Sequence, residues 1–305
     1  MSITLYYHPD FQAHEMGVGH PERPQRLQHI INALQQLSWQ DELIWKTPQP
    51  ATKEDLCRVH DKDYVEFIFR NSPNEGYYYI DQETVMNPFT LAAALLASGS
   101  VIGAVDTVMK KSTRRSACLV RPPGHHAEPD RAMGFCFFNN VAVGAAYALT
   151  TYQLKRIAII DFDVHHGNGT EKAFMHDDRV FYWSSFQHPF YPGVNLTHLP
   201  QHFHFYPLPA GSGSAEFIDL VDYHLVGALE AFSPQLIFIS AGFDAHKRDP
   251  LSELCLSAKD YFYVTQQIVK VAEKVCGGKV ISTLEGGYHL KALGQSYVSH
   301  LKAMR

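Results

Sequence analysis

Five short apolar runs limit what this chain can become: Ala117–Val120, Ile157–Ile160, Val180–Trp183, Leu236–Ile239 and Val280–Thr283. Each is too short for a helix and suits a fully buried strand. Segments of helical length lie between and around them. In Pro21–Leu37, residues Leu27, Ile30, Ile31, Leu34 and Leu37 recur at helical spacing. Asp61–Arg70, Phe89–Lys111, Asn139–Tyr152, Ala215–Phe232, Ser257–Val275 and a C-terminal stretch after Tyr288 also fit helices. This alternation predicts βα units, and so an α/β fold with a central, mostly parallel sheet flanked by helices. No repeat, low-complexity tract or linker-like stretch divides the 305 residues, so residues 1–305 read as a single domain.

The residues after each run carry the functional signal. The first run leads into RPPGHHAE, the second into DFDVHH, the third into SSFQHPFYPG, the fourth into SAGFDAH and the fifth into LEGGYH. Ligands of open α/β sheets bind outside the carboxyl ends of the strands, so five loops far apart in sequence can meet at one place. In IAIIDFDVHHGNG the alternation of an extended chain puts Asp161, Asp163 and His165 on one side. A carboxylate and an imidazole there are two ligands of a metal site, and Asp244 in SAGFDAH supplies a third. Three protein ligands with an open position are the pattern of catalytic zinc, which polarises a carbonyl and acidifies a water. The plainer readings are a polar loop after a buried strand and, for Asp244, a helix N-cap.

His125 and His126 follow Pro122-Pro123-Gly124, a rigid turn. One imidazole near an attacking water can act as general base and then protonate a leaving amine. Asp161 is free to orient His125, as carboxylates do for catalytic imidazoles. Tyr288 follows Gly286-Gly287, whose backbone freedom lets the ring enter a site and its hydroxyl face a developing oxyanion. The plainer readings are a surface histidine pair and a packing tyrosine.

Composition closes off other classes. The net charge of −5 offers no general attraction to nucleic acid or an anionic membrane. Lys110, Lys111, Arg114 and Arg115, the main basic cluster, read as a solvated helix end. Pro88–Val105 holds no charged residue and approaches the length of a membrane span, but its Ala, Gly and Ser content predicts a buried helix packed through small residues. Cysteines 57, 118, 136, 255 and 276 show no CxxC spacing, and the N-terminus has no signal-peptide pattern. A cytoplasmic, reducing location is therefore expected, and the sequons at Asn168 and Asn195 read as chance.

These segments resemble the histone deacetylase family, in the broad sense that includes bacterial deacetylase-like amidohydrolases and acetylpolyamine amidohydrolases. The matching pieces are HPERPQR (20–26), RVHDKDYV (58–65), RPPGHHAEPDRAMGFCFFNN (121–140), IDFDVHHGNGT (160–170), FYPG (190–193), SAGFDAHKRDPL (240–251) and LEGGYHL (284–290). HHGNG and LEGGY look like the class II branch. The resemblance implies the arginase–deacetylase fold and hydrolysis of N-acetyl amides, with one catalytic Zn²⁺ on Asp163, His165 and Asp244. It implies that His126 is general base and acid, His125 its electrostatic partner, and Tyr288 the group that polarises the acetyl carbonyl. Gly134, Phe135 and Tyr191 would wall a narrow channel, and Glu83 would stand at its rim. Asp161, Asp163, His165, Ser184 and Ser185 match a structural K⁺ site. Asn168 stands where class I enzymes carry an aspartate, which should alter His126.

The expected partner is an acetylated lysine in a protein or peptide. The polyamine-specific branch has a glutamate after the DP that follows the third ligand. Here Leu251 follows Asp249-Pro250, which favours acyl-lysine, although Glu253 is near. A non-catalytic acyl-lysine binding module would have lost a ligand or the tyrosine, and all are present.

Overall fold

The structure, a computed structural model, describes residues 2–110, 112–197 and 199–305. Its strands are β1 (Ile3–Tyr6), β2 (Leu43–Lys46), β3 (Tyr78–Tyr79), β4 (Val85–Met86), β5 (Arg115–Cys118), β6 (Ile157–Asp161), β7 (Val180–Gln187), β8 (Phe203–Leu208), β9 (Leu236–Ala241) and β10 (Val280–Leu284). The helices are α1 (Gln25–Leu34), α2 (Lys53–Leu56), α3 (Lys62–Arg70), α4 (Thr90–Met109), α5 (Asn140–Thr151), α6 (Asn168–Phe174), α7 (Ser214–Leu220), α8 (Val226–Phe232), α9 (Ala258–Cys276) and α10 (Leu290–Met304).

Eight strands form one sheet in the order β2-β1-β5-β10-β9-β6-β7-β8, and every neighbouring pair is parallel. The central strands β6, β9 and β10 are buried throughout, which explains their unbroken apolar runs: helices cover both faces of a parallel sheet. All five strands anticipated from the sequence are present and adjacent. The register aligns their carboxyl ends, with Asp161 opposite both Ser184 and Ser240, and Leu284 opposite Ala241. The five polar loops therefore leave the sheet side by side.

Several boundaries differ from the sequence reading. β5 starts at Arg115, two residues before the apolar run, because Arg115 and Ser116 are themselves buried. Arg115 donates to the Met304 carbonyl and pairs with Glu273, so it is not part of a solvated helix end. Lys111 lies outside the described residues. The helix expected at Ala215–Phe232 is divided, with a π-helical turn at Val221–Leu225 between α7 and α8. Strands β1, β2 and β8 were not anticipated; β2 and β8 are the sheet edges, and β1 lies between β2 and β5. Their residues are mixed in polarity, and Pro207 in β8 is tolerated because that strand pairs on one side only.

The charge-free segment forms α4, which by length and composition alone could cross a membrane. However, 67% of its apolar window is buried inside the protein. It packs through small residues as expected: a Cβ on Gly103 would come within 2.9 Å of the Tyr6 ring. Asn168 is buried and unsuited to glycosylation. A smaller apolar cluster, including Leu56, Tyr64, Val65, Ile68, Phe137 and Phe138, ties α3 to the segment that follows the histidine pair.

Candidate active site

β6 ends at Asp161 and its alternation continues into the loop. Phe162 turns into the core against Phe243 and Tyr261, leaving the flanking aspartates to the polar side. Backbone amides then fix the carboxylates. Asp163 Oδ1 accepts from His165 N at 2.9 Å, Asp163 Oδ2 from Gly286 N at 2.9 Å, and Asp244 Oδ1 from Val164 N at 2.9 Å. Ligand atoms of Asp163, His165 and Asp244 lie within 4.8 Å of one another. No helix follows Asp244 directly, since α9 begins only at Ala258, so an N-cap role is excluded.

The donor set suits a divalent cation of borderline softness. Asp244 Oδ2 is buried and makes no hydrogen bond, although His165 Nδ1 lies 3.2 Å away. Glycine keeps the space open: a Cβ on Gly242 would stand 2.5 Å from Asp163 Cβ and overlap its carboxylate. Burial opposes a charge on His165, yet the two carboxylates outweigh it and raise its pKa to about 10. Burial likewise opposes the charge of Asp163, but the imidazolium groups of His125 and His165 hold it below its ordinary value. The pocket thus demands positive charge.

The PPG turn places His125 and His126 beside this triad, their ring centroids 4.0 Å apart. His125 Nδ1 lies 3.0 Å from Asp161 Oδ2, the pairing anticipated from sequence. His126 Nδ1 lies 2.8 Å from Asn168 Oδ1. The Asn168 amide nitrogen donates to Glu128 Oε1 at 2.7 Å, so its oxygen is the atom that faces His126. An amide oxygen only accepts, so Nδ1 of His126 carries the proton and Nε2 keeps its lone pair. Burial, with the charges of His125 and His165, lowers the His126 pKa well below normal and keeps the ring neutral. For His125, burial is outweighed by Asp161 and Asp163, and its pKa rises to about 10.

Tyr288 follows Gly287, whose φ of +115° favours glycine and whose Cβ would stand 2.9 Å from a Leu293 methyl carbon. Burial raises the phenol well above its usual pKa, so the hydroxyl remains a donor. Several groups that hold this loop were not singled out from the sequence. Asp249 Oδ2 accepts from Tyr288 N at 2.7 Å and His289 N at 3.1 Å. Arg26 donates to the carbonyls of Gly287, at 2.7 Å, and Glu285, and its guanidinium carbon sits 5.0 Å from the Tyr288 ring centroid. Glu22 joins Arg26 and Arg121 in a fully buried cluster, and despite burial the arginines hold its pKa well below the carboxylate range. Glu285 Oε2 accepts from the amides of Gly124 at 2.7 Å and His125 at 3.2 Å. The i,i+4 spacing of Glu22 and Arg26 was the available signal for the cluster.

His126, His165 and Tyr288 open into one cavity of about 380 Å³. All five expected channel residues, Gly134, Phe135, Tyr191, Leu251 and Glu83, line it. His20, Pro21, Gln82 and Phe190 line it too and were not anticipated. Glu253 does not; its Oε2 accepts from Gln187 Nε2 at 3.1 Å. Ser184 and Ser185 lie on β7, with Ser184 opposite Asp161.

Residues 20–304 match the family model of the histone deacetylase domain. The chain belongs to the histone deacetylase family. It is 35% identical over 299 residues to a probable deacetylase of Archaeoglobus fulgidus, covering 95% of this chain and 82% of the relative. It is 37% identical to the chloroplastic histone deacetylase 14 of Arabidopsis thaliana, covering 93% and 73%. The histone deacetylase-like amidohydrolase of Pseudomonas aeruginosa is 32% identical, with 95% and 78% covered. The crystal structure of the HDA15 HD domain superposes with a TM-score of 0.91 at 32% identity, covering 99% of this chain and 88% of that one. This histone deacetylase homologue therefore has the arginase–deacetylase fold, and it is a hydrolase of the deacetylase and amidohydrolase type.

Proposed function

We propose that residues 1–305 form one catalytic domain that removes the acetyl group from N6-acetyl-lysine in proteins or peptides. Asp163, His165 and Asp244 would hold a zinc ion. When bound, it supplies a Lewis acid for the acetyl carbonyl and lowers the pKa of the attacking water. His126 Nε2, free of the proton that Asn168 holds on Nδ1, takes a proton from that water and returns it to the departing lysine amine. His125, charged and held by Asp161, places a fixed positive charge beside the developing negative one. The Tyr288 hydroxyl donates to the oxyanion. Asp161, Asp163, His165, Ser184 and Ser185 would hold a structural potassium ion, a reading supported by the pairing of Asp161 with Ser184.

The observation that carries this reading is the shared cavity. Its walls of Phe135, Phe190, Tyr191 and Leu251 suit the methylene stem of lysine, and among its lining residues Glu83 is the one carboxylate. A polyamine would bring further charges into those apolar walls, and Glu253, the other candidate anchor, is engaged by Gln187. A cytoplasmic setting fits five free thiols. The test is kcat/KM for an acetyl-lysine peptide and an acetylated polyamine on zinc-loaded protein. Preference for the peptide is expected; preference for the polyamine would overturn the lysine assignment.

A further inference from the structure

A second concavity, a groove of about 440 Å³, is lined in part by residues two positions from channel-lining ones. Tyr64, Phe67, Ile80 and Ala132 contribute apolar surface, and Asp61, Asp63 and Asp130 bring three exposed carboxylates. Asp61 stands at the N-cap of α3 yet makes no capping hydrogen bond. Among the described residues none of the three carboxylates has an ion-pair partner. Arg131, the one cation in the groove, is committed to Glu128 at 2.7 Å. The groove thus offers an apolar bed and unanswered negative charge, the complement of a long side chain with a methylene stem and a cationic head.

Two chain segments join the groove to the channel. Ile80 precedes Gln82 by two residues, and Ala132 precedes Gly134 by two. At roughly 3.5 Å per residue those paired lining residues have Cα atoms at most about 7 Å apart. An extended peptide covers that span in about two to three residues. We propose that the groove seats a lysine or arginine side chain of the substrate peptide, two to four residues from the acyl-lysine in the channel. The inference rests on the acyl-lysine reading above and extends it to a preference for cationic sequence around the target lysine.

The test uses acetyl-lysine peptides that differ only in carrying Arg, Gln or Glu at those positions. The zinc-loaded wild type should turn over the Arg peptide about tenfold more efficiently than the Glu peptide at low salt, with the ratio falling as salt is raised. Asp63→Asn and Asp130→Asn should each reduce that ratio about two- to fivefold, the range for an exposed ion pair. Asp178→Asn, the same charge change just before the amino end of β7, opposite the carboxyl ends where the site loops gather, should leave it unchanged. A ratio that ignores Asp63 and Asp130, or falls equally with Asp178→Asn, overturns the groove assignment. Anisotropy of a labelled Arg peptide on the same variants gives a readout independent of turnover. Binding that weakens with Asp63→Asn without any turnover would sustain the groove and refute the deacetylase reading; no dependence on Asp63 or Asp130 would refute the groove.

Discussion

Acidification should destabilise this protein through His60. The ring is buried; Nδ1 lies 2.9 Å from the Glu128 carbonyl, and Nε2 accepts from Asn139 N at 2.9 Å. One neutral imidazole thereby ties both ends of the 128–139 segment, which carries the Gly134-Phe135 wall. Burial lowers the His60 pKa from 6.5 to about 4. The unfolded chain binds the proton first, so the contribution is intact above pH 6.5 and is lost as pH falls toward 4. With those two values the loss is about 2 kcal/mol at pH 5 and about 3 kcal/mol at pH 4. His60→Gln can keep a donor toward Glu128 and an acceptor toward Asn139 but cannot titrate. The variant should be about 1–2 kcal/mol less stable at pH 7.5, where its hydrogen bonds and packing are poorer. By pH 5 the gap should close or invert, shifting by about 2 kcal/mol in favour of the variant. Urea unfolding of both proteins at the two pH values measures this, because other titrating groups cancel in the difference. An equal gap at pH 7.5 and pH 5 would refute the reasoning.

Gly242→Ala should abolish stoichiometric zinc uptake, measured by elemental analysis, because the new methyl overlaps the Asp163 carboxylate; uptake of one equivalent would count against the site. Tyr288→Phe should lower kcat about 10²–10³-fold with little change in zinc content, and near-normal turnover would remove the tyrosine from the mechanism. Arg26→Met leaves Glu22 with one arginine fewer and frees the Gly287 carbonyl. It should cost about 3 kcal/mol in urea unfolding and also lower kcat by loosening the Tyr288 loop; unchanged values of both would contradict the role of the buried cluster.

Much of the site is legible in the chain because chemistry sits where local pattern changes. Asp161, Asp163 and His165 follow a β-branched run, and their alternation is a local property of extended backbone. The PPG turn and the two glycines before Tyr288 announce themselves equally locally. The central strands are legible for the same reason, since both of their faces are buried. The edge strands β2 and β8 are not, because a strand paired and covered on fewer sides can be polar.

Other features depend on distant partners, which local periodicity does not encode. Sheet order brings Asp244 to Val164, 80 residues away, and Arg26 to Gly287, 261 residues away. Arg115 looked like surface charge until β5 placed it against Met304 and Glu273. The protonated nitrogen of His126 is set by an amide whose own orientation is set by Glu128. The sequence by itself determined the strand-and-helix alternation and the chemical inventory at the strand ends. Tertiary structure alone decided which buried charges face one another and which imidazole keeps its lone pair. Both depend on desolvation and hydrogen-bond geometry, which exist only once the sheet has assembled.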